Sequence, residues 1–173
     1  IRQSSPVIEN CCITGCDGYE AGGIKCDYRS SPYIIDCLTI NNHGSYTGGI
    51  DLDNESSPII LNCDFSGNTS ESSAGGIAIR YASEPVIIGC RISNNHATSY
   101  GGGVYLYKSA PRMMNCLISG NSAEVGGGLI NSNGTGFLDN ITIVDNIADF
   151  GGAIHCVYQG GMTIANSIIR NNS

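Results

Sequence analysis

Short apolar runs separated by polar residues recur along the whole chain, and they are of three kinds. One alternates apolar and polar residues with a period of two, as at Ile24 and Cys26, Ile50 and Leu52, and Ile77 and Ile79. A second follows each proline, and a third contains a cysteine with a bulky residue two positions later. A period of two is typical of β-strands, because successive side chains point to opposite faces of a sheet. The pattern predicts three short strands in each unit.

The units form an internal repeat of about 26 residues. Prolines recur at spacings of 26, 26, 27 and 26, as Pro6, Pro32, Pro58, Pro85 and Pro111. Five residues later is a cysteine column, consisting of Cys11, Cys37, Cys63, Cys90 and Cys116 and continued by Ile141 and Ser167. Ten residues after the prolines is an asparagine column, consisting of Asn42, Asn68, Asn95, Asn121, Asn146 and Asn172. A phrase built on two glycines also recurs, as AGGI at 21–24, TGGI at 47–50, AGGI at 74–77, GGGV at 101–104, GGGL at 126–129 and GGAI at 151–154. Six copies in one register indicate a repeat architecture.

Three strands per repeat can close into one coil of a parallel β-solenoid, in which equivalent residues stack about 4.8 Å apart. The sequence therefore predicts an all-β fold of six to seven coils, with residues 1–173 as one domain. The glycine-led strands should supply an inward ladder, made of Ile24, Ile50, Ile77, Val104, Leu129 and Ile154. Stacked asparagines should share amide hydrogen bonds from coil to coil. A bend between the second and third strands is expected at residues that tolerate a left-handed backbone, namely Asn10, Asp36, Asn62, Gly89, Asn115, Asn140 and Asn166.

Composition narrows the range of partners. Fifteen acidic residues against eight basic ones give a net charge of −7, which leaves no basic surface for nucleic acid. No apolar run approaches the roughly 18 residues of a transmembrane helix, so no transmembrane segment is expected. Because the chain begins with Ile1 rather than methionine, we expect a piece of a longer polypeptide with further coils or domains at both ends.

Two short motifs resemble those of a known group. GGAI occurs at 151–154, and the pattern FxxN occurs as FSGN at 65–68. The chain resembles right-handed parallel β-helix repeat proteins, which include the pectate-lyase-like fold and the GGAI and FxxN repeats of bacterial surface autotransporters. The resemblance implies an extracellular or cell-surface location. It implies no single activity, because similar solenoids serve as adhesins, stalks, polysaccharide lyases and glycoside hydrolases.

Nine cysteines require an interpretation of their own. The five cysteines of the column, together with Cys26 and Cys156, occupy inward registers and are predicted to be buried thiols that act as small hydrophobic side chains. Cys12 and Cys16 lie outside these ladders and are able to pair with each other. No CxxC spacing indicates a zinc site, and no cofactor is expected.

Charged residues on the outward positions of the glycine-led strands allow two interpretations. Asp27, Asp51, Asp53 and Arg80 match, by resemblance, the scheme of lyases that hold calcium with carboxylates and use a basic residue to abstract a proton. Alternatively, Lys25 beside Asp51 and Arg80 beside Asp53 form a lattice of exposed ion pairs that needs no ligand. The second interpretation is the preferred one, with Ca²⁺ and a carbohydrate-active enzyme as the alternative. The regular turns predict no walls for a catalytic cleft.

Further along the same strands the outward positions become apolar. Tyr105, Tyr107, Ile130 and Val157 should form an exposed stripe, and such a stripe either binds a partner or is covered. Tyrosine rings are suited to stacking on sugars. The sequence therefore predicts a non-catalytic segment of a secreted or surface protein that acts as a stalk or as an adhesive, glycan-binding module. Its expected partners are polysaccharides or cell-surface glycans and proteins.

Overall fold

The computed structural model describes residues 1–173 and has the predicted architecture, a parallel β-solenoid of about six coils with no helix. Each coil contributes one strand to each of four parallel sheets, here called A to D. Sheet A consists of Val7–Glu9, Tyr33–Ile35, Ile59–Leu61, Val86–Ile88, Arg112–Met114, Thr135–Asp139 and Gly161–Ala165. Sheet B consists of Cys12–Thr14, Leu38–Ile40, Asp64–Ser66, Arg91–Ser93, Leu117–Ser119, Thr142–Val144 and Ile168–Arg170.

The other two sheets complete each coil. Sheet C consists of Asp17–Gly18, His43–Gly44, Thr69–Ser70, His96–Ala97, Ser122–Val125 and Ile147–Phe150. Sheet D, built from the glycine-led strands, consists of Ile24–Cys26, Ile50–Leu52, Ile77–Arg80, Val104–Tyr107, Leu129–Ser132 and Ile154–Val157. Sheet C adds a fourth strand to the three expected in each coil. Its first strands are only two residues long, too short to show a period of two in the sequence.

The inward ladders form one hydrophobic core. Residues in the glycine-led ladder pair in register, for example Ile77 with Ile50 on one side and Val104 on the other. They are buried along most of the solenoid, and only Ile154, in the last full coil, is half-buried. The predicted bend lies between sheets A and B, where residues such as Asn62 and Asn115 have φ angles of 52° and 55°.

The asparagine column forms the predicted hydrogen-bond ladder. Asn95 shows its pattern: its Nδ2 donates to Oδ1 of Asn121 at 3.0 Å and to the carbonyl oxygen of Phe65 at 2.9 Å. Its own Oδ1 accepts from the backbone N and Nδ2 of Asn68 at 2.9 and 3.0 Å. Each buried amide is thus satisfied by the adjacent coils, which ties neighbouring coils together in one register.

The cysteine column is buried in its middle and exposed at its start. Cys37, Cys63, Cys90 and Cys116 are at most 3% exposed, and Cys26 is fully buried, as predicted. The prediction is wrong for Cys11 and Cys156, which are exposed because each lies in a coil with a neighbour on one side only. Cys12 and Cys16 are also exposed, and all nine thiols are free.

No helix of the protein has the length and apolar character needed to cross a membrane.

Candidate functional site

The outer face of sheet D carries two adjacent groups of side chains with different chemistry. Its first three strands hold Lys25, Asp51 and Arg80, and Asp53 directly follows the second of these strands; the four are here called the charged cluster. Its last three strands hold the predicted tyrosine and aliphatic side chains, which line a depression here called the groove. Direct pairing of Ala78 with Tyr105 and of Arg80 with Tyr107 joins the two groups on one continuous surface.

In the charged cluster both cations converge on one carboxylate. Lys25 Nζ lies 2.8 Å from Oδ2 of Asp51, and Arg80 Nη2 lies 2.6 Å from the same oxygen. Arg80 Nε donates to the other oxygen of Asp51 at 3.2 Å. Asp53 Oδ2 is farther from both cations, 3.5 Å from Lys25 and 3.4 Å from Arg80. The expected pairing of Arg80 with its direct neighbour Asp53 is therefore secondary, because the long guanidinium side chain reaches diagonally to Asp51.

The charged cluster is also more buried than the lattice of exposed ion pairs that the sequence predicted. The side chain of Asp51 has no exposed surface, and those of Lys25 and Arg80 are 20% and 16% exposed. Burial raises the pKa of Asp51 above its ordinary value, against the opposing attraction of Arg80 and Lys25. Ala78, which lies between Asp51 and Tyr105 on the outer face of sheet D, is fully buried as well. The prediction of solvated, exposed charges was wrong, since long neighbouring side chains cover the short ones.

Asp27 lies outside this ion-pair cluster. Its Oδ1 accepts hydrogen bonds from the backbone N of Tyr28 at 2.9 Å and from Nδ2 of Asn54 at 2.8 Å. Only two of the three aspartates considered for calcium therefore share the two cations. No group of three or more histidine, cysteine, aspartate or glutamate side chains is arranged to hold a metal ion.

The groove has a volume of about 550 Å³ and is mainly apolar. All four residues of the predicted stripe line it, together with seven others, and the full set is Tyr100, Tyr105, Tyr107, Val125, Ile130, Ser132, Asn133, Phe150, His155, Val157 and Tyr158. Ile130 forms its floor and is only 2% exposed, so the expected exposure of this residue was wrong. The stripe is thus a recessed surface rather than a flat one.

One side of the groove is a wall, which the regular repeat length did not predict. Tyr100 pairs with Val125, and Val125 pairs with Phe150, so the three stack in successive coils where sheet C turns into sheet D. Tyr100 and Phe150 are 45% and 59% exposed, which leaves much of each ring open to solvent. The wall needs no inserted loop, because it consists of residues already present in each coil.

Glycine at the first position of the last three phrases lets the wall stand close to the floor. The wall residues are followed by Gly101, Gly126 and Gly151, whose φ angles of 58°, 70° and 71° lie in the left-handed region. A Cβ added at Gly126 would lie 2.7 Å from the Cβ of Ile130, so no larger residue fits without displacement. The first three coils have Ala21, Thr47 and Ala74 at this position. The change from alanine or threonine to glycine at this first position is the sequence signal that marks the walled half of sheet D.

Three tyrosine rings follow one another across the groove. The ring centroids of Tyr100 and Tyr105 are 6.2 Å apart with an angle of 25° between their planes, and those of Tyr105 and Tyr107 are 6.4 Å apart with an angle of 7°. Tyr81 packs edge-on against Tyr107 at 5.2 Å and supports that ring. Burial raises the pKa of Tyr105, so its hydroxyl stays protonated and able to donate. Tyr19 and Tyr46, remote from the groove, are the two tyrosines whose hydroxyls bond to each other.

No protein-family model matches this chain, and no curated protein and no solved structure matches it either. Function is therefore inferred from the geometry and chemistry of the outer face of sheet D.

Proposed function

We propose that this chain is a non-catalytic β-solenoid module of a secreted or cell-surface protein, and that it binds glycans in the groove on sheet D. The observation that carries the proposal is the succession of nearly parallel rings of Tyr100, Tyr105 and Tyr107 in an apolar, walled depression. The faces of aromatic rings stack on the apolar faces of sugars, and each such contact is weak. Several contacts along one chain of sugars add to useful affinity.

The polar lining of the groove supports the same proposal. Ser132, Asn133 and His155 provide hydrogen-bond donors and acceptors beside the rings. A pocket that is mostly apolar with a few polar groups is typical of ligand sites, in which the polar groups fix orientation. The open sides of the groove favour an extended oligosaccharide over a compact small molecule.

The rest of the molecule supports the role of a stalk. The chain forms 115 backbone hydrogen bonds in total, and the asparagine ladder adds side-chain hydrogen bonds between its coils. Stacked coils of this kind hold a surface site rigidly at a fixed distance from whatever precedes or follows them.

The carbohydrate-active enzyme alternative receives less support from the charged cluster. A lyase of that kind would need Arg80 to accept a proton from the substrate. Burial alone would lower the pKa of Arg80, but the attraction of Asp51 and Asp53 outweighs it and raises the pKa above its ordinary value. The higher this pKa, the smaller the fraction of Arg80 that is deprotonated and available to act as a base at neutral pH.

The test is a glycan array probed with the parent protein and with the double variant Tyr105→Ser/Tyr107→Ser. We expect the parent to bind and the variant to lose at least about tenfold in affinity, because two stacking surfaces are removed. The matched control is Tyr19→Ser/Tyr46→Ser, which removes an interacting pair of exposed tyrosines elsewhere and should bind as the parent does. Equal loss in both double variants, or no glycan bound by the parent, would refute the proposal.

A second assay addresses catalysis. Unsaturated products of a lyase absorb in the ultraviolet, and we expect none from polygalacturonate or alginate, with or without calcium. Calcium-dependent turnover that disappears in Arg80→Ala would replace the binding proposal with the enzyme alternative.

A further inference from the structure

We infer that two copies of this chain associate face to face through the outer surface of sheet A, with their solenoid axes antiparallel. The groove lies on sheet D, so this inference is independent of glycan binding. It rests on a band of apolar side chains on the outer surface of sheet A and on the charges at the two ends of that band.

The first five strands of sheet A have three residues each, of which the middle one points inward and the other two point outward. The inward residues of the central strands, Ile34, Ile60 and Ile87, are fully buried. Pairing in register places the outward residues in two adjacent columns, and most of them are apolar. The apolar members, here called the apolar band, are Val7, Tyr33, Ile35, Ile59, Leu61, Val86, Ile88 and Met114.

The apolar band is open to solvent. Val7 and Tyr33 are 63% and 46% exposed, and the other members are half-buried beside one another. After each of the five strands only two residues precede the next strand, which belongs to sheet B, so no loop folds back over the face at that side. A contiguous apolar surface of this kind on a soluble protein marks an interaction site.

The dimensions of the band suit a second sheet. It spans five coils, about 24 Å along the solenoid at 4.8 Å per strand, and about 10 Å along the strands. β-Sheets pack face to face about 10 Å apart with interdigitating side chains, and the aliphatic residues at the centre, Ile59 and Leu61, suit that packing. The band is smaller than the roughly 800 Å² that each partner buries in a standard interface, which indicates a weak, reversible dimer.

Charges at the two ends of the band favour a second copy as the partner. One outward position is acidic in the first coil, at Glu9, and one is basic in the fifth coil, at Arg112. Both side chains are exposed, and neither forms an ion pair within the chain. The guanidinium group of Arg112 lies over the ring of Phe137, with its carbon 5.4 Å from the ring centroid. The band therefore has one acidic and one basic end, each two coils from its centre.

This placement of charges selects the antiparallel arrangement. A two-fold axis along the strand direction through the third coil lays the first coil of one copy over the fifth coil of the other. Glu9 then faces the strand of the partner's Arg112, two residues away along the strand, about 7 Å, which the long arginine side chain spans. A two-fold axis along the solenoid would instead bring the two copies of Glu9 together, and likewise the two copies of Arg112, and like charges repel.

Sedimentation equilibrium of the protein at about 1 to 300 µM tests the association. One chain has a mass of 18.1 kDa, and we expect the weight-average mass to rise towards twice that value with concentration. Leu61→Asp places a carboxylate at the centre of the interface and should weaken association at least about tenfold. The matched control is Leu117→Asp, which introduces the same charge at an outward, half-buried leucine of sheet B and should associate as the parent does.

Exchange of the end charges tests the orientation, and it carries the test by itself if circular dichroism shows that Leu61→Asp does not fold. Glu9→Arg and Arg112→Glu should each weaken association about threefold, because each places like charges opposite one another. The double variant Glu9→Arg/Arg112→Glu restores opposite charges and should associate as the parent does. At about 1 M salt the single variants should approach the parent, since the Debye length falls to about 3 Å.

Three results overturn the inference, and none of them bears on glycan binding. A mass of one chain at every concentration would show that a second copy does not cover the apolar band. Equal weakening in Leu61→Asp and Leu117→Asp would place the contact away from sheet A. A double charge variant that associates no better than the single variants would reject the antiparallel arrangement.

Discussion

Replacing Asp51 by alanine is expected to destabilise the protein by about 3 kcal/mol, far more than removal of an exposed carboxylate. Asp51 accepts hydrogen bonds from Lys25 Nζ at 2.8 Å and from Arg80 Nε and Nη2 at 3.2 and 2.6 Å. Its side chain is fully buried, and those of its two partners are largely buried. The alanine variant therefore leaves two partly desolvated cations without their main counter-charge.

The magnitude follows from the remaining neighbour. Removing one partner of a buried ion pair costs about 3–5 kcal/mol, because the other charge stays desolvated and unpaired. Asp53 remains 3.5 Å from Lys25 and 3.4 Å from Arg80 and compensates part of that cost, so the lower end applies. If the cluster were an exposed lattice, as the alternation of residues alone suggests, the loss would be about 0.2–1 kcal/mol.

Chemical denaturation of the parent and of Asp51→Ala measures the difference, with equal m-values as the check that the unfolding transition is comparable. Glu55→Ala is the control, because Glu55 forms an exposed pair with Arg29 at 2.9 Å and its removal should change stability little. If Asp51→Ala lowers the free energy of unfolding no more than Glu55→Ala does, the charged cluster is exposed to solvent rather than buried.

Three further perturbations test the ladders and the wall. Asn95→Ala removes four buried hydrogen bonds and should cost about 3 kcal/mol by denaturation, whereas Asn115→Ala at an exposed bend should cost much less. Gly126→Ala places a Cβ against the groove floor at a φ of 70°, and it should weaken both stability and glycan binding. Its control is Gly15→Ala, which has a φ of 67° but open space around it and should affect stability alone. Contacts with the neighbouring ladder thiols, together with burial, raise the pKa of Cys90, so iodoacetamide should label it only after denaturation. Labelling of Cys90 in the folded protein at pH 8, read by mass spectrometry, would mean that its ladder faces solvent.

The repeat made most of the fold predictable. Residues 26 or 27 positions apart stack on one another in this solenoid. The spacing of Asn68 and Asn95 in the sequence was therefore enough to predict the hydrogen bond between their side chains. The same spacing predicted which aliphatic residues share the core, because a period of two sets the side that each faces. The short strands of sheet C escaped prediction because two residues carry no periodicity.

The exposure of side chains on the outer face was less predictable. The alternation of residues along a strand sets the face to which each side chain points, but it does not show whether neighbouring side chains cover it. Ala78 points outward and is buried, and Ile130 points outward and forms the floor of the groove. Both are covered by larger neighbours whose reach depends on side-chain conformation, as with the diagonal contact of Arg80 to Asp51. The wall depends on the left-handed φ angles at Gly101, Gly126 and Gly151, and the glycine at the first position of those phrases was the one sequence feature that marked it.

The most direct test of the glycan-binding account is a titration of ring-labelled tyrosine followed by NMR. The protein has nine tyrosines, which report on the whole surface at once. With a neutral oligosaccharide that the protein binds, the account predicts shifts of the groove rings, Tyr100, Tyr105, Tyr107 and Tyr158, with little change at Tyr19, Tyr28, Tyr33 and Tyr46. Saturable shifts at the remote rings with the groove rings unmoved would contradict it and place the binding surface elsewhere on the solenoid.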